Sequence, residues 1–171
     1  ILIVAYNHEK FILNVLNRIP SNLSEKYEVE ILINDDSSVD RTVQISKEYT
    51  NNLKSNFKYS VFSNPKNQGY GGNQKIGFYY AIKNNFDFVA LLHGDGQYAP
   101  EYLEKLIEPL NREEVNAVFG SRMITKGGAL RGGMPLYKFI GNKILTLIQN
   151  SLFSKNFTEF HSGYRIYKIS A

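Results

Sequence analysis

Two short acidic clusters carry the most informative chemistry in this chain. Asp95 stands in His93-Gly94-Asp95-Gly96-Gln97, directly after the apolar run 88–92. A carboxylate flanked by glycines, with an amide two residues on, presents oxygens to a hard cation, and glycine lets the backbone come close to a ligand. A Mg²⁺ or Mn²⁺ ion held this way takes few protein carboxylates and completes its shell with substrate phosphates. The same residues also suit a plain glycine-rich turn. The second cluster, Asn34-Asp35-Asp36-Ser37-Ser38-Val39-Asp40-Arg41-Thr42, follows the run 29–33. Adjacent carboxylates at a strand end can accept hydrogen bonds from a nucleobase edge and a ribose hydroxyl. Ser38 or Asp40 suits a helix cap, but capping does not account for both Asp35 and Asp36.

A third segment, Asn64-Pro65-Lys66-Asn67-Gln68-Gly69-Tyr70-Gly71-Gly72-Asn73, precedes a helical pattern. It lacks the third glycine of a dinucleotide fingerprint and follows the third strand rather than the first, so a Rossmann cofactor site is rejected. No Gly-Lys-Ser/Thr occurs, which excludes a P-loop. What remains is a helix entry whose amides can face a sugar or base. Arg122, Lys126, Arg131 and Arg165 are candidate phosphate clamps, arginine being suited to bidentate contacts. Glu159 and His161, in Glu159-Phe160-His161-Ser162-Gly163-Tyr164-Arg165, supply acid–base groups. Each of these taken singly also suits an ordinary surface or structural position.

The elements that position these residues alternate strand and helix. The continuous apolar run 1–5 reads as a strand covered on both faces, and strands are read at 29–33 and at the apolar run 88–92. Strands are also predicted at 58–63, 117–119 and 164–168. Helical spacing predicts helices at 11–19 (ended by Pro20), 40–49, 73–83, from Pro100 through Leu110, and at 135–153. The segment 125–133 holds four glycines and reads as a mobile loop. Repeated strand–helix–strand units imply a parallel sheet with helices on both faces, whose ligands bind beyond the carboxyl ends of the strands. The polar clusters follow strand after strand, which puts them at one end of the sheet.

The 171 residues suit one domain, and 43% hydrophobic composition suffices for a core. There is no cysteine, so disulfides and cysteine–metal clusters are excluded; a reducing, cytoplasmic compartment is compatible. The net charge of +4 is spread along the chain, suiting an anionic substrate or membrane surface rather than nucleic acid. The chain opens at Ile1 inside a strand pattern and is expected to be a fragment trimmed at both ends. The segment 135–153 is interrupted by Lys138, Asn142, Lys143, Gln149 and Asn150 and reads as amphipathic, not transmembrane.

Taken together, the motifs resemble family 2 glycosyltransferases with the GT-A fold, most closely the dolichol-phosphate mannose synthase and polyprenyl-phosphate glycosyltransferase branch. Ala5-Tyr6-Asn7 is similar to that family's opening Tyr-Asn motif, with Glu9 near the place of its following Glu. Asp35 to Thr42 is similar to its Asp-Asp-Gly-Ser-x-Asp-x-Thr motif, and Asn67 to Asn73 to its Asn-x-Gly-x-Gly-Gly-Ala loop. Asp95-Gly96-Gln97-Tyr98-Ala99-Pro100-Glu101 resembles the end of its metal motif. Gly120-Ser121-Arg122 and Ser162-Gly163-Tyr164-Arg165 match two later signatures. The departures are His93 for the first Asp of Asp-x-Asp, Val4 for Pro, His8 for Glu, Ser37 for Gly and Asn73 for Ala.

The resemblance implies a GT-A α/β fold, a mostly parallel twisted sheet with helices on both faces. It implies inverting transfer from a UDP- or GDP-sugar to a polyprenyl phosphate or a glycan hydroxyl. Nucleotide-sugar contacts fall on Ala5, Tyr6, Asn7, Glu9, Asp35, Asp36, Asn67, Gly71, Gly72, Gly94 and Asp95. Asp95 and Gln97 would hold Mg²⁺ or Mn²⁺. Catalytic or charge-stabilising roles fall on Asp95, Arg122, Arg131, Glu159, His161 and Arg165. A phosphate acceptor needs no strong base; a hydroxyl does, and Glu159 or His161 is then the candidate. Peripheral contact with the cytoplasmic membrane face accords with a lipid acceptor. The rival readings are a silent nucleotide-sugar-binding module, suggested by His93, and a sugar nucleotidyltransferase, disfavoured by Tyr6-Asn7-His8-Glu9 where a phosphate loop would stand. A nucleic-acid binder is the weakest.

Overall fold

A computed structural model describes residues 1–53 and 55–169. β1 (Leu2–Ala5), β2 (Glu30–Asp35) and the middle of β4 (Phe88–His93) are buried along their length. That burial is why β1 and β4 read as apolar runs, helices covering both faces of the sheet, while β2 keeps a buried Glu30 that accepts from Lys58. With β3 (Lys58–Ser63), β5 (Ala117–Phe119) and β6 (Arg165–Lys168), they form a six-stranded sheet in the order β3-β2-β1-β4-β6-β5. β2–β3, β1–β2 and β1–β4 pair in parallel, whereas β6 runs antiparallel to β4, with Leu91 opposite Arg165. The final strand was expected; its direction was not, because a four-residue strand carries no directional signal of its own.

The helices are α1 (Ile12–Asn17), α2 (Thr42–Asn52), α3 (Gly69–Lys83), α4 (Leu103–Ile107), α5 (Gly128–Arg131) and α6 (Leu136–Phe153). α1 buries Ile12, Val15 and Leu16, the residues whose spacing marked it as a helix. α3 starts four residues before the expected 73, at Gly69, so the glycine-rich segment is itself the first helical turn. Gly69, at φ +71, makes the entry that a side chain would strain. Small residues Asn73, Gly77 and Ala81 form the buried stripe of α3. A Cβ on Gly77 would lie 2.4 Å from Leu2 Cδ1, so glycine sets how closely α3 approaches β1.

Pro100 opens not one helix but a 3₁₀ turn, Pro100–Tyr102, then α4 and a second 3₁₀ turn, Glu108–Asn111. Pro109 interrupts the pattern, since it donates no amide hydrogen bond. The segment 125–133, expected as a loop, contains α5: Gly128, Arg131 and Gly132 donate backbone bonds that close a short turn. Two compact units result, Ile1–Val118 with the segment from Arg165 onward, and Phe119–Tyr164. In the first, Leu2, Val4, Leu32, Ala81, Val89 and Leu91 form one buried cluster. Among the described residues no helix is long and apolar enough to cross a membrane.

Candidate functional site

β2 and β3 lie on one side of β1 and β4 on the other, so the sheet order reverses between β1 and β4. Where chain direction switches, loops part and leave a crevice at the carboxyl ends of the strands. Residues 6–9 after β1 and 93–97 after β4 leave the sheet at that point. Gly94 is buried between them: a Cβ there would meet His8 Nδ1 at 2.7 Å and Ala5 Cβ at 3.2 Å. Its part is to let these two loops pack, and its amide donates to Val4 O at 2.9 Å.

The loop after β1 is zipped to the loop after β2. Asn7 N–H donates to Ser38 Oγ (2.8 Å), His8 N–H to Thr42 Oγ1 (2.8 Å) and Glu9 N–H to Asp40 Oδ2 (3.0 Å). In return Val39 N–H donates to Asn7 Oδ1 and Arg41 N–H to Glu9 Oε2, both at 3.0 Å. Asp40, just before the α2 N-cap Arg41, also accepts from the first helical amide, Thr42 N–H (3.0 Å). Burial pushes the Asp40 carboxyl up, but the bonds from Thr42 and the Glu9 amide outweigh this and hold it below the usual aspartate value. Tyr6 stays half exposed at the crevice.

The paired aspartates separate by role. Asp35 is fully buried; it accepts from the amide and hydroxyl of Ser38 and from Ser63 Oγ (3.2 Å). It shapes the turn in which Ser37, the family's glycine position, sits at φ +65. Asp36 is 3% exposed, and its Oδ1 accepts from Asn64 Nδ2 and Gln68 N–H, both at 2.8 Å. Its Oδ2 takes no hydrogen bond from a described residue, which leaves that oxygen for a ligand. Behind it, Asn34, Asn64 and Asn73 form a buried amide network: Asn73 Nδ2 donates to Asn34 O (2.9 Å), and Asn34 and Asn64 donate to Asn73 Oδ1. Asn73 at the usual alanine position therefore ties the start of α3 to the end of β2. Asn67 Oδ1 accepts from Gly69 N–H (2.9 Å), while Gly71 faces open space.

The loop after β4 is held from below by a residue that sequence reading missed. Arg18 makes a two-pronged pair with Glu101 (2.7 and 3.1 Å) and donates to Gly96 O (3.2 Å). A lone arginine after a short helix gave no signal of this. Asp95 Oδ1 accepts Gln97 N–H (3.0 Å), and Oδ2 takes no hydrogen bond from a described residue. His93 lies between two aromatic rings: its Nε2 is 2.7 Å from Tyr70 OH, and its ring meets Tyr98 edge-on at 4.8 Å. Burial pushes the Tyr70 phenol up, partly countered by the Arg165 charge. Among the described residues no group of three or more acidic or histidine side chains gathers to cage a metal. One open carboxylate oxygen with a nearby amide fits a cation that brings its own phosphate ligands, the habit of Mg²⁺ and Mn²⁺.

Within the second unit, signatures some forty residues apart in sequence come together. Gly120 N–H donates to Tyr164 O (2.9 Å), and a Cβ on Gly120 would lie 2.9 Å from the Tyr164 ring. Thr158 Oγ1 donates to Ser121 Oγ (2.8 Å). Glu159 is buried and accepts from Arg122 N–H (2.8 Å), Arg122 Nη2 (2.6 Å) and Asn142 Nδ2 (2.9 Å). His161 Nδ1 is 3.4 Å from Asn142 Oδ1. Arg131 and Lys126 are exposed on and before α5. Arg165 belongs to the first unit, at the end of β6 beside β4.

A sheet of this order, with its polar loops crowded at the β1/β4 reversal, is that of the GT-A nucleotide-diphospho-sugar transferases. The Glycosyl transferase family 2 model matches residues 1–171, and the chain belongs to that family. The chain is 34% identical over 180 residues to the UDP-N-acetylglucosamine–dolichyl-phosphate N-acetylglucosaminyltransferase of Methanococcus voltae, covering 100% of this chain and 69% of that protein. It is 24% identical over 168 residues to the polyprenol monophosphomannose synthase of Mycolicibacterium smegmatis, covering 98% and 60%. Its fold is similar to glucosyl-3-phosphoglycerate synthase from Mycobacterium tuberculosis in complex with Mn²⁺ and UDP-glucose, with a TM-score of 0.63, 17% identity, and 99% and 55% coverage.

Proposed function

We propose that this glycosyltransferase moves a sugar, with inversion, from a UDP- or GDP-sugar to a polyprenyl phosphate at a membrane face. The observation that carries the reading is Asp95: a carboxylate with one open oxygen, on a glycine-flanked turn at the β1/β4 reversal. Asp36, with Oδ2 left over, receives the ribose or base, and Tyr6 lies against the base. The amides of 67–72 face the sugar, and Arg165 and the Arg122 and Arg131 guanidiniums stabilise phosphate charge. Asp95 and Gln97 would hold Mg²⁺ or Mn²⁺, which supplies charge neutralisation for a departing nucleoside diphosphate.

In the transfer, an acceptor phosphate oxygen bonds to the anomeric carbon as its bond to the donor diphosphate breaks. The acceptor is already ionised near neutrality, so no residue need take a proton. The state of Glu159 supports this acceptor over a hydroxyl. Its side chain is 0% exposed, and three donors occupy its oxygens. It is thus placed to position Arg122 rather than to abstract a proton. The two named lipid-phosphate relatives point to the same acceptor class.

Thermal denaturation with UDP, GDP and their sugars, with and without Mn²⁺, tests the donor reading. Nucleotide and Mn²⁺ together are expected to stabilise by about 2.7 kcal/mol at a hundredfold excess over Kd. Asp95→Asn is expected to abolish the Mn²⁺-dependent part. Equal stabilisation of Asp95→Asn and the parent chain would remove Asp95 from the site.

A further inference from the structure

The turn after β4 rests on α1. A Cβ on Gly96 would stand 3.8 Å from Cγ2 of Val15, itself 1% exposed. Arg18 follows as the C-cap of α1, and its own amide donates to Val15 O (3.2 Å), so its backbone is fixed. From there the guanidinium divides its donors. Nε and Nη2 take the two oxygens of Glu101 at 2.7 and 3.1 Å, and Nη1 reaches Gly96 O at 3.2 Å. The bond from Arg18 holds the Glu101 carboxyl below the usual glutamate value, so the pair stays ionised near neutrality. A bidentate carboxylate fixes the plane of the guanidinium, and with it the direction of the third donor.

The peptide that receives this donor is the one that holds Asp95. Gly96 C=O and Gln97 N–H belong to a single planar trans amide, so they point in opposite directions. The oxygen accepts from Arg18, and the N–H donates to Asp95 Oδ1 at 3.0 Å. Fixing the oxygen from α1 therefore aims the N–H at the carboxylate, and the bond at the oxygen polarises the amide and strengthens its donor. Gly96, at φ +75, supplies the left-handed backbone that this turn requires. Oδ1 is occupied, and Oδ2 takes no hydrogen bond from a described residue.

We propose that Arg18 is a positioning residue: through the Gly96–Gln97 peptide it sets the rotation of the Asp95 carboxylate, so that Oδ2 meets a divalent cation. The metal half of this role rests on Asp95 being the ligand proposed for donor binding. Magnitudes favour positioning over stability. The Arg18 and Glu101 side chains are 30% and 49% exposed, and a pair so wet contributes little to folding. The same two segments are also joined by Glu104, which pairs with Lys26 and accepts from Asn22 (3.2 Å), so their docking does not depend on Arg18 alone. A metal ligand released from the group that orients it, by contrast, loses affinity about 10–100-fold.

Arg18→Met keeps the apolar stem and removes every donor. In the metal-free chain, hydrogen exchange of the Gln97 amide, read by NMR, is expected to quicken about fivefold, with Tm lowered by no more than about 4 °C. With saturating UDP or GDP, the Kd for Mn²⁺, read from the free-ion EPR signal, is expected to rise at least about tenfold. Arg18→Lys keeps the charge without the fork and is expected to behave as Arg18→Met does. Glu101→Gln leaves Arg18 in place but frees its plane, and is expected to move both readouts the same way by a smaller factor. An unmoved Gln97 amide in Arg18→Met, or full rescue by Arg18→Lys, overturns the proposal. So does a much larger Tm loss shared by all three variants, which would make Arg18 a residue of the fold. Mn²⁺ affinity lost in Asp95→Asn but kept in Arg18→Met overturns the positioning role alone. Equal Mn²⁺ affinity in Asp95→Asn and the parent chain removes Asp95 as a ligand and overturns both readings.

Discussion

Ser37 and Asp40 show how single residues hold the nucleotide end of the sheet. Ser37 adopts φ +65, the left-handed region that favours glycine, and its side chain makes no hydrogen bond with a described residue. The left-handed conformation costs a non-glycine residue about 1–2 kcal/mol, and glycine loses roughly 0.5–1 kcal/mol in chain entropy. Ser37→Gly is therefore expected to stabilise the chain by about 0.5 kcal/mol, read as a higher urea midpoint. Asp40 receives the Thr42 and Glu9 amides, and its pKa lies below the unfolded value. The unfolded chain then binds more protons in acid, so this stabilisation is present above the ordinary aspartate value and is lost as pH falls through the folded one. Asp40→Asn is expected to cost about 1 kcal/mol at neutral pH and to flatten the acid limb of a Tm-versus-pH curve. An unchanged acid limb would remove Asp40 as its source.

At the scale of elements, α3 is the piece on which the site depends most. Its first turn is the glycine-rich segment, its Asn73 joins the amide network behind Asp36, and its Gly77 lies against Leu2 of β1. A methyl group at residue 77 meets the fully buried side chain of Leu2 in a central strand, which has to shift to admit it. Gly77→Ala is expected to destabilise by about 1–3 kcal/mol through overpacking, despite alanine's higher helix propensity. The same variant should weaken donor-dependent stabilisation, because α3 carries residues 69–73 with it. A gain in stability would show that α3 packs less closely.

For the whole molecule, large apolar residues divide between a buried sheet core and an exposed helix face. Leu91 lies in the buried cluster of the sheet at 1% exposure, whereas Leu147 on α6 is 71% exposed. Leu91→Ala is expected to cost about 2–5 kcal/mol in urea unfolding, and Leu147→Glu to stay within about 0.5 kcal/mol of the parent. A large loss from Leu147→Glu would show that α6 is covered in the native chain. The net charge of +4 sits on a chain whose stretch 115–158 has no acid, so its positive field is uneven along the sequence.

The sequence alone determined the strand–helix alternation, because period and burial leave their mark in residue type: apolar runs at β1 and β4, helical spacing at α1 and α6. It also marked the loops that gather at one end of the sheet, and the family, through several motifs in a fixed order. Tertiary structure decided what each marked residue does. Asp35 and Asp36 are identical neighbours in sequence, yet one is locked inside a turn and the other keeps an oxygen free. Glu159 carries the letter of a base but spends its lone pairs on Arg122 and Asn142. Arg18 under the Asp95 loop, the antiparallel run of β6 and the outward apolar face of α6 all depend on contacts between residues far apart in the chain. Such contacts leave no local pattern, since a hydrogen-bond partner is chosen by position in space and not by spacing in sequence.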